Sequence, residues 1–129
     1  MLFCIKAAAK ITVETAEEIA SFLPKILAAT SMFTQQNASL AILKQAKERV
    51  PGLKTIMGGL NCSGRAGLAL LKYFPQVDVV CFGEGDDVIV DAVNALIEDT
   101  PMPYGVLRTG DVTAGKRSAT ASAVWLGSK

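Results

Sequence analysis

The stretch TIMGGLNCSGRAGLALLKYFPQVDVVCFGEGD, residues 55–86, decides the fold. It holds a short apolar run ending in Gly58-Gly59, a helical segment from about Arg65 to Tyr73, a second apolar run from Val77 to Phe82, and Gly83-Glu84-Gly85-Asp86. Two strand-to-helix junctions of one design, about 25 residues apart, are what successive β-α-β units produce. Their loops then lie side by side at the carboxyl edge of one parallel sheet, where open α/β sheets bind ligands. The stretch predicts an architecture and the place of a site together.

Upstream the same alternation continues. Lys25 to Thr30 is a continuous apolar run of strand length, as expected of a parallel strand buried on both faces. The amide-rich loop Ser31 to Asn37 follows it, and Asn37 or Ser39 is placed to cap the next helix. In that helix Leu40, Leu43, Ala46 and Val50 share a face, with Lys44, Lys47 and Glu48 turned to water, and Pro51-Gly52 ends it. Nearer the start, Val13, Ala16, Ile19, Ala20 and Leu23 recur at helical period, with Thr12 or Thr15 as N-cap and Pro24 as stop. Met1 to Ile5 reads as a short strand, although the alanines behind it prefer helix.

Downstream, Asp86 is placed to cap a helix reaching Ile97, with Ile89, Ala92, Val93 and Leu96 inward. Beyond Pro101 and Pro103 the period changes, and residues 104–113 read as a small hairpin around Gly110. Residues 114–129 have no period and read as a flexible tail behind a domain spanning 1–113. The expected fold class is α/β: an open three-layer sandwich with a mostly parallel sheet of four or five strands and right-handed crossovers.

Composition narrows the function. The chain has 129 residues, 50% of them hydrophobic, and its net charge of +1 gives no electrostatic footprint for nucleic acid or an anionic membrane. No apolar run approaches the length of a membrane span, so membrane is set aside as a partner. The apolar excess suits a covered surface, in a homodimer or against a neighbouring domain. Three widely spaced cysteines, Cys4, Cys62 and Cys81, make no metal or iron–sulfur motif and read as reduced thiols of a cytoplasmic protein. The absence of histidine removes Ser/His and Cys/His nucleophiles and the commonest transition-metal ligand. No catalytic residue and no metal ligand is expected in this chain.

What remains is binding. Gly58-Gly59 after a strand allows positive φ and close approach to a ligand, or simply a tight strand exit. Gly83, Glu84, Gly85 and Asp86 set backbone N–H groups at a helix start, suited to an anionic or polar group, or to ordinary capping by Asp86. Cys62 lies in the first loop, where a thiolate can be activated, yet with no His as base it reads as a small packed residue rather than a nucleophile. Asp78, Asp86 and Asp87 do not form a receiver-type acidic pocket, because Asp78 begins its strand. Gln35, Gln36 and Asn37 suit amide or hydroxyl groups of a ligand, or merely solvation.

The segment from Phe33 to Leu96 resembles the cobalamin-binding-type amino-terminal domain of radical SAM enzymes, particularly ribosomal peptide maturation radical SAM proteins. The matching features are the amide-rich loop before Ala38-Ser39-Leu40, Gly58-Gly59 with Asn61-Cys62 and Gly64, Phe74-Pro75 with Val77-Asp78, and Gly83-Glu84-Gly85-Asp86. The resemblance implies a flavodoxin-like, Rossmann-like fold whose carboxyl-edge loops receive the nucleotide tail of cobalamin beside a separate radical SAM barrel. By position it implicates Thr30, Ser31, Phe33, Gln35, Gly58, Gly59, Asn61, Cys62, Gly83, Glu84, Gly85 and Asp86. The chain departs from the family in lacking CxxxCxxC, so no iron–sulfur cluster is expected in it, and in lacking DxHxxG, so no His ligand to cobalt.

The leading expectation is thus a non-catalytic cobalamin-binding-like domain, intact or vestigial, of a peptide-modifying radical SAM enzyme, with a precursor peptide or the barrel as partner. One alternative is an interaction or dimerisation module without cofactor. The other is a flavin or nucleotide binder using the Gly83 to Asp86 helix start.

Overall fold

A computed structural model describes residues 2–32, 34–82 and 88–110, and the side chains among these from Lys10 onward. The elements are α1 (Leu2–Ser21), β1 (Ile26–Thr30), α2 (Gln36–Arg49), β2 (Lys54–Gly58), a 3₁₀ turn (Leu60–Cys62), α3 (Gly64–Tyr73), β3 (Val79–Cys81), α4 (Ile89–Glu98) and β4 (Val106–Arg108). The strands form one sheet in the order β1-β2-β3-β4. β1, β2 and β3 are parallel, with Ile26 opposite Lys54 and Ile56 opposite Val79, while β4 runs antiparallel to β3.

Period-two alternation along the strands divides the core between two faces. Met57, Val80 and Leu107 face Leu40 and Leu43 of α2 and Leu70 and Leu71 of α3. Ile56, Val79, Cys81 and Val106 face Ala92 of α4, flanked by Ile89, Val93 and Leu96. Helix, sheet and helix make three layers. Two parallel links moving the same way along a sheet must place both crossover helices on one face if both are right-handed, and α2 and α3 do share a face. α1 packs against α2 in that same layer, through Ile19 and Ala20 against Ala46, Val50 and Leu53.

Several expectations are corrected. The start is helix, not strand: α1 begins at Leu2, so Thr12 and Thr15 lie inside a helix and cap nothing. Alanine-rich sequence wins over a five-residue apolar run when no neighbouring strand pairs with it. Among the described residues β1 is an edge strand, with Ala28 and Thr30 exposed, because an unbroken apolar run does not say how many neighbours a strand has. Gln35, not Asn37 or Ser39, holds the cap position of α2, with no side-chain capping bond. Lys47 is half-buried rather than solvated, its Nζ 2.6 Å from Asp78 Oδ2. Val88 occupies the cap position of α4 in place of Asp86. Residues 106–108, one arm of the expected hairpin, pair antiparallel with β3. The other arm, Val112-Thr113, and the tail 114–129 lie outside the described residues.

Candidate functional site

The carboxyl ends of β1 and β2 are locked together before any ligand is considered. Ser31 N–H donates to Gly58 O at 2.6 Å and Asn61 N–H to Ser31 O at 3.1 Å. Asn61 Nδ2 donates to Gln36 Oε1 at 3.0 Å, joining the 3₁₀ turn to the first turn of α2. Ser39 Oγ donates to Thr30 O at 2.8 Å, closing the exit of β1 from the other side. The loops after β1 and β2 are one bonded unit; the loop Gly83 to Asp86, which the sequence sets beside Gly58-Gly59, lies outside the described residues.

The two loop glycines differ in kind. Gly59 has φ +107°, and a Cβ there would lie 2.8 Å from Ser31 O and 2.9 Å from Thr30 Oγ1. The backbone approach that glycine permits is made by the chain's own β1–α2 loop. At Gly58 a Cβ would meet only Cys81 Cβ, at 3.9 Å, so nothing there demands glycine. A third glycine was not singled out by the sequence: a Cβ on Gly67 would collide with Cys62 O and stand 2.7 Å from Phe82 Cε1. Gly67 lets α3 lie directly on the 3₁₀ turn and on the end of β3. Its spacing from Gly64 within a helix was the available signal, since an interior helical glycine costs stability unless close packing requires it.

Among the implicated residues, Ser31 and Cys62 are fully buried. Burial pushes the Cys62 thiol up to about 11; the Ser31 side chain offsets part of that rise and Cys81 adds to it. The Ser31 hydroxyl nonetheless makes no hydrogen bond among the described residues. Burial likewise raises Cys81. A thiol held protonated inside a core is neither nucleophile nor metal ligand. Thr30 and Gln35 are exposed, and Gly58, Gly59 and Asn61 are half-buried. Around them stand exposed apolar side chains: Met32, Leu60 (70% exposed) and, beyond β3, Tyr104. Tyr104 belongs to this edge because Phe82 N–H donates to Gly105 O at 2.7 Å. Phe33, Gly83, Glu84, Gly85 and Asp86 lie outside the described residues.

Asp78 sits at the opposite, amino end of the sheet and is structural. Its Oδ2 accepts Thr55 N–H at 2.9 Å beside Lys47, while Thr55 Oγ1 donates to Gln76 O at 2.5 Å. Among the described residues no group of three or more Cys, Asp or Glu is placed to hold a metal ion, and no helix is long and apolar enough to cross a membrane. Among the described residues, the carboxyl edge of β1 and β2 therefore offers uncharged hydroxyl and amide groups and an apolar rim, on two loops bonded to each other.

No protein-family model matches the chain. Over 84 residues, 65% of its length, it is 31% identical to the anaerobic magnesium-protoporphyrin IX monomethyl ester cyclase of Cereibacter sphaeroides. The chain spans 14% of the length of that curated relative.

Proposed function

We propose that this chain is a cobalamin-binding-like domain of a radical SAM enzyme, non-catalytic in itself, whose ligand contacts lie at the carboxyl edge of β1 and β2. The observation that carries the reading is the joint edge of Thr30, Gln36 and Asn61 at the carboxyl ends of two adjoining parallel strands, with Met32 and Leu60 exposed beside it. Uncharged donors with an apolar rim suit a large group that bears amides and hydroxyls. The likeness to the cyclase supports the broad form of this proposal. The finer part, a peptide as the enzyme's substrate, rests on the resemblance of residues 33–96 alone.

The described residues fit the tail of such a cofactor and not its metal. Thr30 and Asn61 would hold amide or hydroxyl groups, Asn61 exchanging its bond to Gln36 for one to the ligand. Ser31, with its orphaned buried hydroxyl, would join them only if the loops part. Cys62, buried and protonated, gives cobalt no ligand. When bound, cobalamin supplies carbon–cobalt chemistry; this chain's part is to bind and orient it.

A second reading has its own support. The bonds Asn61–Gln36 and Ser31–Gly58 are complete without a ligand, and Leu60 and Tyr104 leave apolar area for a protein partner. The test is the visible absorption spectrum after incubation with hydroxocobalamin and desalting. Retained corrinoid bands shifted toward the base-off form, and lost in Asn61→Ala and Thr30→Ala, support the cofactor reading. A colourless protein overturns it in favour of the interaction module.

A further inference from the structure

We propose that the sheet face shared by α4 and β1 binds a second copy of this chain about a two-fold axis parallel to the strands, so that each α4 lies over the other copy's β1. The proposal does not depend on the ligand reading above, because its residues stand on the flat of the sheet and leave the carboxyl edge open. The sheet is covered unequally. One face carries α1, α2 and α3, and the other carries, among the described residues, α4 alone. α4 rests on Ile56, Val79, Cys81 and Val106, so it is centred on β3. Ile26, Ala28 and Thr30 share that face, since Ala28 stands opposite Ile56 in the register, and Ala28 and Thr30 are exposed.

The flanks of α4 differ in chemistry. The helix follows β3 and runs back toward the amino end of the strands, where Asp99 pairs with Arg108 of β4 at 3.2 Å. With α2 and α3 as right-handed crossovers on the far face, a right-handed helix running this way turns the residue after each buried one toward β1. Ala92 faces the sheet, so Val93, about 100° further round, turns to β1, and Asp91, as far the other way, turns to β4. Ile97 and Val90 lie beyond Val93, toward the back of the helix, and are 61% and 65% exposed. Glu98 continues the polar side of Asp91. A helix with one neighbour is expected to be polar over the rest of its surface, yet α4 is apolar on its β1 flank and on its back.

Spacing and charge select the occupant. β1 stands two strands from β3, about 10 Å, and packed helices stand about 8–10 Å apart, so the strip over β1 has the width of one helix laid beside α4. A two-fold axis midway between α4 and that strip fills it with the second copy's α4, giving the self-complementary contact typical of symmetric dimers. The two helices then run parallel, Val93 meets its own symmetry copy across the axis, and Val90 and Ile97 seat on the other copy's β1. Asp91 and Glu98 stay in water. Lys54, exposed on the same face at the amino end of β2, stands at the carboxyl ends of both helices, where a cation offsets their aligned dipoles. A single segment laid in the strip buries Val93 but leaves the back of α4, at Val90, in water; a second copy covers both.

The experiment is sedimentation equilibrium of the full 129-residue chain over a dilution series, with disulfide cross-linking as a second readout. The chain should be a dimer that dissociates on dilution. Val90→Glu and Ile97→Glu alter side chains that are already exposed within one copy, so circular dichroism should be unchanged, while a carboxylate sealed against the other copy's β1 should weaken association at least about tenfold. Glu98→Gln should leave it unchanged. On oxidation Val93→Cys should give a covalent dimer and Asp91→Cys should not, and this pair carries the test if the glutamate variants do not fold. The proposal is overturned by a monomer at every concentration, by a dimer that persists in both glutamate variants, or by cross-linking at Asp91→Cys in preference to Val93→Cys. A monomer whose Trp125 fluorescence shifts in Ile97→Glu also overturns it, and assigns the strip to the chain's own carboxyl-terminal residues.

Discussion

Replacing Gly59 by alanine tests the interlocked edge directly. At φ +107° and ψ −176° the residue sits in a region essentially closed to L side chains, which costs about 1–3 kcal/mol. The added Cβ would stand 2.8 Å from Ser31 O and 2.9 Å from Ser31 N. Both neighbours are backbone, held by the Ser31–Gly58 and Asn61–Ser31 bonds, so relief requires the two loops to move apart and weakens those bonds. One weakened neutral hydrogen bond adds about 1 kcal/mol. The expected loss is therefore about 2–4 kcal/mol, read from urea denaturation as a lower midpoint at unchanged slope. Gly58→Ala is the internal control: with only Cys81 Cβ at 3.9 Å, it should change stability by less than about 0.5 kcal/mol. Equal behaviour of the two variants would refute the reasoning, as would a loss below about 1 kcal/mol at Gly59. The pair also separates structure from binding: a ligand that approaches Gly58 closely loses affinity in Gly58→Val without a matching loss of fold.

Three further outcomes are expected. Gly67→Ala reverses the usual helical preference: alanine gains about 1 kcal/mol in an open helix interior, but here its Cβ meets Cys62 O and the Phe82 ring, so thermal denaturation should show a net loss of about 2 kcal/mol or more. Asp78→Ala strands Thr55 N–H and the half-buried Lys47 ammonium together; chemical denaturation should report a loss of about 1–3 kcal/mol, of which the double variant with Lys47→Met recovers the part due to Lys47 but not the part due to Thr55 N–H. Cys62 makes stability fall at alkaline pH. The unfolded thiol ionises near 9.0 and the folded one near 11, so the contribution is complete below pH 9 and is lost as pH rises toward 11. A denaturation series across that window should become shallower in Cys62→Ala, the raised Cys81 thiol keeping part of the slope, and an unchanged slope in that variant would assign the loss to other groups.

The alternation of strand and helix was legible because it is a local pattern. The apolar runs read at 25–30, 55–57 and 77–82, within which β1, most of β2 and β3 form, and the periodic face of α2 through Leu40, Leu43, Ala46 and Val50 are each set by neighbouring side chains. So was the clustering of Thr30, Gly58, Gly59 and Asn61, which follows from the rule that successive parallel strands bring their carboxyl-end loops together. Neighbour counts were not legible. β1 has the composition of a central strand and stands at an edge, and residues 106–108 look like one arm of a hairpin and pair with β3, because pairing depends on which edge lies free elsewhere.

Of the residues meant for a ligand, the sequence determined their address and the tertiary structure decided their state. Gly59 is glycine to let Ser31 approach, Cys62 is a core thiol, and Asn61 is bonded to Gln36, 25 positions away. A glycine or a cysteine has the same letter whether it faces a ligand, a neighbouring loop or the core. Only the packing of α3 on the 3₁₀ turn, made possible by Gly67, distinguishes them, and that packing joins parts of the chain whose local sequences carry no information about one another.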